Sequence, residues 1–391
     1  MFRKPLVIVG FLVTIVLSPG AAYAAELLVG TAVVDITPAE PVAVSGQFRL
    51  RIAKTVETPV TANVIALESR QDGSSGDLAI MVSCDLLYIP SEVLELVREA
   101  VRERLPDLDT KKVFLNGTHT HTAPVLLPDK YPIPRDGVIQ VEQYLSFLAE
   151  RVADAIAKAW NNRSPGSVTW GLSHAVVAYN RRAVYADGSA RMYGKTDIAE
   201  FRNLEGYEDH DVNTLFFWNG SGELIGAVVN VSCPSQEVES RSAVNADFWH
   251  PVREALRERY GRQLCVLGWT GASGDQSPHL MYRKTADERM RKLRGLDRLE
   301  EISRRIVRAV DDAYETVKND RHADVPLIHR AETIRLPMRL VTEAEYAEAK
   351  AAVKKAADQI ERNPKAAVNE HRRMKWYETT VKRFERQKTE V

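Results

Sequence analysis

Cysteine is scarce in this chain: three occur in 391 residues, at Cys84, Cys233 and Cys265. An odd and small number builds no disulfide framework, so burial of apolar surface has to hold the fold together. Cys84 and Cys265 lie in apolar, strand-like runs and read as buried thiols. Excess charge is missing too. Lys plus Arg and Asp plus Glu number 53 each, a formal net charge of zero, so neither nucleic acid nor an anionic membrane is the default partner. There is no internal repeat, and beyond the first two dozen residues no run is apolar enough to cross a membrane. What remains is an ordinary globular composition, 45% hydrophobic and 27% charged, in a chain long enough for one large domain or two smaller ones.

The first residues differ from the rest. Arg3 and Lys4 are followed by an apolar run over 6–17, then Ser18-Pro19-Gly20, then the small-x-small sequence Ala22-Tyr23-Ala24. This is the pattern of a signal peptide over residues 1–24, with the mature chain starting near Ala25 or Glu26 and exported to the periplasm or beyond. The alternative is an uncleaved anchor, for which the run is short of the about 20 residues a span needs.

Apolar patterning then predicts strands over 27–36, 60–67, 78–87, 112–115 and 168–178, a hairpin of 214–218 with 224–232, and strands over 264–269 and 327–336. Helical spacing predicts helices from Ser91, as cap, to about 105, and over 141–160, 248–259 and 293–317. The succession 78–87, 91–105, 112–115 is a strand–helix–strand crossover, which makes its strands parallel neighbours. The fold class is therefore α/β, with mixed β-sheets flanked by helices over 25–340. Residues 341–391 are rich in Ala, Glu, Lys and Arg and break at Asn363-Pro364, which reads as a charged C-terminal helical hairpin laid on the domain.

Three stretches carry chemistry. Asn116-Gly117-Thr118-His119-Thr120-His121-Thr122 follows the apolar run Val113-Phe114-Leu115. Residues i and i+2 of an extended segment point to one side, so both imidazoles can face one ion or one substrate, with threonine hydroxyls available to a ring nitrogen or a water. The plainer alternative is two loop histidines bonded to backbone or water. The second stretch runs from Gly271 to Pro278, where Gly271 and Gly274 allow a tight turn after a buried strand. Ser277 can be a nucleophile or hold a reacting water, and Asp275 can orient it or cap the turn. The order of Gly and Ser is not that of a nucleophile elbow, and an Asx turn explains it equally well. The third is Asn230 to Glu237, in which Cys233 can be a soft zinc ligand and Glu237 a base, or Cys233 a buried thiol before a turn. Asp85 and Asp247 stand at element ends, Asp247 as a candidate cap of the helix from Phe248. Arg181 and Arg182 can clamp an anionic group or be surface charges.

Taken in order, Gly30-Thr31-Ala32 with Asp35-Ile36-Thr37-Pro38, Ser83-Cys84-Asp85-Leu86, Gly117 to His121 with Ala123-Pro124, Asn180-Arg181-Arg182 and Gly274-Asp275-Gln276-Ser277-Pro278 resemble the neutral/alkaline non-lysosomal ceramidase family, in particular its bacterial members. The resemblance covers residues 28–278. It implies a secreted amidase that uses zinc to cleave the N-acyl bond of ceramide. It implies His119 as a zinc ligand, His121 beside the metal handling protons or substrate, and Ser277 as the active serine. An arginine of the pair Arg181 and Arg182 would hold the substrate, with Gly274 in the same substrate-binding segment. A second zinc histidine of the family is replaced here, so that either Cys233 stands in as ligand or the site holds no zinc. The family's Glu and Tyr ligands come from strands beyond its helical region, and full ceramidases add an immunoglobulin-like domain, so the sequence is expected to be an N-terminal catalytic domain incomplete on its C-terminal side. The expected partners are a small lipid or amide substrate and peripheral membrane lipid, with no nucleic acid and no protein. The rival readings are a hydrolase of a non-lipid amide or ester and a catalytically silent binding homologue.

Overall fold

The computed structural model describes residues 25–71 and 74–390. The expected signal peptide lies outside the described residues. Strands β1 (Ala25–Asp35), β2 (Val42–Val44), β3 (Arg51–Ala53), β4 (Thr61–Gln71) and β5 (Ser74–Cys84) come first. Helix α1 (Ser91–Arg104), strand β6 (Val113–Gly117), helix α2 (Val141–Asn161) and strand β7 (Ser164–His174) follow. Four short strands come next, β8 (Tyr179–Asn180), β9 (Arg182–Tyr185), β10 (Ala190–Met192) and β11 (Phe201–Leu204). The second half of the body is β12 (Asp211–Asn219), β13 (Leu224–Val231), α3 (Trp249–Tyr260), β14 (Cys265–Thr270), β15 (Gln276–Ser277), α4 (Lys284–Leu293) and α5 (Arg298–Val317). Helices α6 (Glu343–Arg362) and α7 (Ala367–Glu390) close the described chain.

Eight strands form one mixed sheet in the order β14-β13-β12-β7-β1-β4-β5-β6. The pairs β5–β6 and β13–β14 are parallel and the other neighbours antiparallel. The sheet curls back on itself. Cys265 of β14 reaches the carbonyl oxygens of Ala32 in β1 and Val64 in β4, at 3.6 and 3.4 Å, although three and four strands lie between them in sheet order. Leu27, Val29, Ile65, Leu67 and Met81 thus face Phe217, Val228, Cys265 and Leu267 across a shared core. Helices α1 and α2 cover the outer face of one half. Helices α3 and α5 cover the other. The result is a four-layer arrangement of helix, sheet, sheet and helix, with the parallel crossover predicted from residues 78–115 in place.

Four sequence expectations change. The helix expected over 293–317 starts later, at Arg298, and a separate helix, α4, ends at Leu293. Gly295 adopts a left-handed φ of 69°, and Asp297 with Glu300 forms a capping box that restarts the chain as α5. Residues 327–336 form no strand: among the described residues no ladder partner lies beside them, and Ile328, Ile334 and Leu336 are exposed. Ser91 does not cap α1, because Pro90 holds the cap position and the Ser91 hydroxyl turns to Glu92. Asp247 sits one residue too early to cap α3 and serves the loop before it instead. The expected hairpin is present as α6 and α7, joined along a seam where Tyr346 stacks on Phe384 at 4.2 Å.

One buried ion pair ties the layers together. Asp85, just past β5, accepts from Arg253 Nη1 of α3 at 2.9 and 2.8 Å, from the Thr61 amide at 2.9 Å and from the Thr61 hydroxyl at 3.0 Å. Arg253 Nε also donates to the Val266 carbonyl of β14 at 3.1 Å. Removing one member of a buried pair leaves the other charge uncompensated, so Asp85→Ala is expected to lower the unfolding free energy by about 3–5 kcal/mol. Urea unfolding measures this, and pairing the change with Arg253→Met should recover part of the loss. A single variant within about 1 kcal/mol of the parent would show that the pair is not what fixes these layers.

Candidate active site

The carboxyl ends of β5, β6, β13 and β14 meet at one end of the curled sheet. This is where ligands gather in parallel α/β arrangements. The Thr118 amide donates to the Cys84 carbonyl at 2.9 Å and the His119 amide to the Leu86 carbonyl at 3.0 Å. His119 then takes a left-handed φ of 68°, which turns the chain sharply. The threonines around the histidines are structural. Thr118 donates to Asp85 at 3.3 Å, and Thr120 and Thr122 both donate to the Asn245 carbonyl, at 2.8 and 2.7 Å. They fasten the loop and do not serve the imidazoles.

The rings of His119 and His121 lie 5.1 Å apart, tilted by 59°. Burial, then the neighbouring His121, push the His119 pKa down to about 4, so its imidazole is neutral at physiological pH. His121 packs against Gly46, which has a φ of 98°; a Cβ there would approach the imidazole to 2.5 Å. The Glu239 carboxylate lies 3.2 Å from His121 Nδ1, but off the direction of a hydrogen bond, and both ring nitrogens are buried without a hydrogen-bond partner. Arg51 binds these segments together. Its guanidinium donates to the carbonyl oxygens of Glu239 at 2.8 Å, Arg241 at 2.5 Å and His121 at 2.6 Å, and to that of Ser45. Desolvation lowers its pKa to about 10, which leaves it charged.

Glu239 also faces His279, whose Nε2 lies 3.8 Å from the carboxylate and 3.0 Å from the Gln236 carbonyl. The His279 amide donates to Ser277 Oγ at 3.0 Å. Tyr193 is the hub of the opposite wall. Its hydroxyl accepts from Gln236 Nε2 at 2.9 Å and Arg181 Nη1 at 3.2 Å, so its own proton points to Ser277 Oγ at 3.1 Å. Of these, Tyr193, Glu239 and His279 border a cleft of about 670 Å³ lined also by Lys195, Met281 and Lys284, among others.

The structure brings several sequence candidates together and separates others. Pairing of β8 with β15 sets Asn180-Arg181-Arg182 beside Gly274-Asp275-Gln276-Ser277. Arg181 donates to the Gly274 carbonyl at 2.9 Å and stays at the wall, whereas Arg182 turns outward to Glu205. Asp275 does not orient Ser277. Its carboxylate takes Asn180 Nδ2 at 3.0 Å. Ser277 is fully buried beneath Tyr193. Cys233 lies in the core under α3 and α5, its thiol 3.5 Å from the Val177 carbonyl, and burial pushes its pKa well above the usual thiol range. Glu237 is held by Arg298 at 3.0 and 3.2 Å. Asp247, buried with φ 55° and its pKa raised by burial to about 7, accepts from the Val238 and Phe248 amides and braces the segment that carries Glu239. Sequence reasoning passed over Glu239, His279, Tyr193 and Gln236. The first two lie within a few residues of Cys233 and Ser277, so proximity to those motifs was the available signal; for Tyr193 the sequence offers none.

No family model matches the sequence, and no curated protein matches it. Solved structures do. A crystal structure of neutral ceramidase from Pseudomonas aeruginosa aligns with a TM-score of 0.59 at 19% identity, over 76% of this chain and 46% of that one. A structure described as ceramidase complexed with C2 aligns with a TM-score of 0.55 at 18% identity, over 76% of this chain and 45% of that one. The chain shares the neutral ceramidase fold. It spans just under half the length of the ceramidase chains it matches.

The zinc site that the resemblance implies does not fit the residues in place. Cys233 is turned into the core, and among the described residues no three His, Cys, Asp or Glu side chains are grouped to hold a metal ion. Ligand binding to the folded state raises stability by mass action, about 2.7 kcal/mol at a hundred times the dissociation constant. Zinc added to metal-stripped protein is therefore expected to leave the Tm unchanged within about 1 °C. A rise of several degrees that His119→Ala abolishes would establish a donor set around that imidazole.

Proposed function

We propose that the chain is a hydrolase of an N-acyl amide bond, exported by its leader and acting on a ceramide-like sphingolipid amide. The observation that carries this reading is that Glu239, His279 and Tyr193 line one cleft of a ceramidase fold, with His121 against Glu239 and Arg181 against Tyr193. Burial works to raise the Glu239 pKa, but contact with His121 and the nearby His279 and Arg181 outweigh it and hold the carboxylate below its usual range. Glu239 is thus ionised at neutral pH, the form that can accept a proton from water.

The reaction then runs through this chain's own groups. Water adds to the substrate carbonyl carbon as Glu239 accepts its proton. The oxygen that gains the charge is stabilised by the Tyr193 hydroxyl and the Arg181 guanidinium. A small turn of either side chain brings His121 Nδ1, 3.2 Å away and free of any competing hydrogen bond, into line with the carboxylate, and Glu239 then passes it the proton. His121 gives it to the departing amine nitrogen as the C–N bond breaks. Ser277 acts through Tyr193, whose hydroxyl it aims.

A second reading, hydrolysis of a non-lipid amide or ester, is favoured by one feature. The cleft wall formed by Lys195, Thr196, Asp197 and Lys284 is polar, with Leu280 and Met281 as its main apolar surface. Turnover of a fluorescent ceramide against a panel of simple amides and esters separates the two. Glu239→Gln is expected to lower kcat/KM by about 10²-fold or more on the preferred substrate. Ser277→Ala should cost only about tenfold, as loss of one aiming contact. Complete loss with Ser277→Ala would make the serine the nucleophile, and a parent protein that cleaves no amide would reject the amidase reading.

A further inference from the structure

The charged hairpin touches the body of the protein close to the active-site wall, and that contact runs directly to the reacting pair. Helix α7 presents His371 and Arg372 to two loops. His371 Nε2 lies 3.0 Å from the Asp129 carbonyl. Arg372 inserts between two aromatic rings, 4.8 Å from the centre of Phe48 and 5.8 Å from that of Tyr131. Its Nη1 donates to the Tyr131 hydroxyl at 3.0 Å and to the Gln47 carbonyl. Tyr131 in turn donates to the same Gln47 carbonyl. Two charged or polar donors from separate elements therefore fix one peptide group.

That peptide group has two outlets into the site. Gly46, one residue before, is the close packing partner of His121. The Gln47 side chain donates through Nε2 to the Glu239 carbonyl at 3.3 Å, beside the Arg51 bond to the same oxygen. A shift of residue 47 therefore moves the floor under His121 and loosens the backbone that carries Glu239. The 3.2 Å separation of His121 and Glu239, which the proton passage needs, depends on both.

We propose that Arg372 is a positioning residue: docked against Gln47 and Tyr131, it holds the His121–Glu239 pair in register, and the hairpin is thereby a working part of the active site. This rests on the amidase reading for its effect on turnover, while its effect on the loop does not. Arg372→Ala should raise deuterium uptake in peptides spanning 43–50 and 236–241, and leave β4 unchanged. It should lower kcat on the preferred amide by about five- to twentyfold with KM within about twofold. Tyr131→Phe should reproduce both effects more weakly, and the double variant should fall little below Arg372→Ala, since both act on one carbonyl. Arg372→Lys, which keeps the charge and one donor, should restore part of kcat. Unchanged uptake in both peptides overturns the proposal. So does raised uptake with unchanged kcat in an active enzyme, or an effect confined to KM. If the parent protein cleaves no amide, the amidase reading fails by itself, and the exchange measurement alone decides whether Arg372 governs the loop.

Discussion

A single buried carboxylate, that of Asp85, organises this molecule. It accepts from Arg253 in α3, from the amide and hydroxyl of Thr61 at the start of β4, and from Thr118 in the histidine loop. Those partners belong to opposite layers of the curled sheet and to the site itself. Burying two charges costs several kcal/mol each, and their attraction offsets that cost only with good geometry and further hydrogen bonds. The geometry here supplies both, and its yield is position: the loop that carries His119 and His121 is set against β14 by the same group that locks α3 onto the sheet. The Ser83 hydroxyl on the Gly268 carbonyl at 2.6 Å and the Thr270 hydroxyl on the Thr118 carbonyl at 3.1 Å repeat the link across the two halves.

Much of the scaffold was legible because its signals are local. The crossover of β5, α1 and β6 follows from an apolar run, a helical face and a second short run. The hairpin of β12 and β13 follows from two apolar stretches around Asn219-Gly220-Ser221-Gly222. The curl of the sheet was not legible, because it depends on which distant strands meet face to face, such as β14 over β1 and β4. The failure at 327–336 has the same cause in reverse. Apolar residues spread along a segment say that it can be a strand, but a strand exists only with a neighbour.

The site was legible in one half. The sequence marks His119, His121, Arg181 and Ser277; the β8–β15 pairing brings Arg181 and Ser277 together at Tyr193, and His121 lies against Glu239. It misleads on chemistry wherever a side chain's direction matters. Cys233 occupies a ligand-like place in the sequence yet points into the core, and Asp275 precedes Ser277 closely yet bonds Asn180. Side-chain direction at a turn is set by tertiary partners, which no spacing rule encodes.

The half that was missed explains why the site is built from so many segments. Glu239 follows Pro234-Ser235-Gln236-Glu237-Val238, a stretch outside any helix or strand. Such a stretch holds a carboxylate in place only if its backbone is tied down from outside. Asp247 takes its Val238 amide, Arg51 and Gln47 take the Glu239 carbonyl, and Arg298 takes the Glu237 carboxylate. Each tie comes from a different part of the chain, and Gln47 is itself held by the hairpin through Arg372. A base on a loop thus acquires the rigidity of the elements around it. The charged hairpin, which in the sequence reads as a surface appendage, is one of those elements.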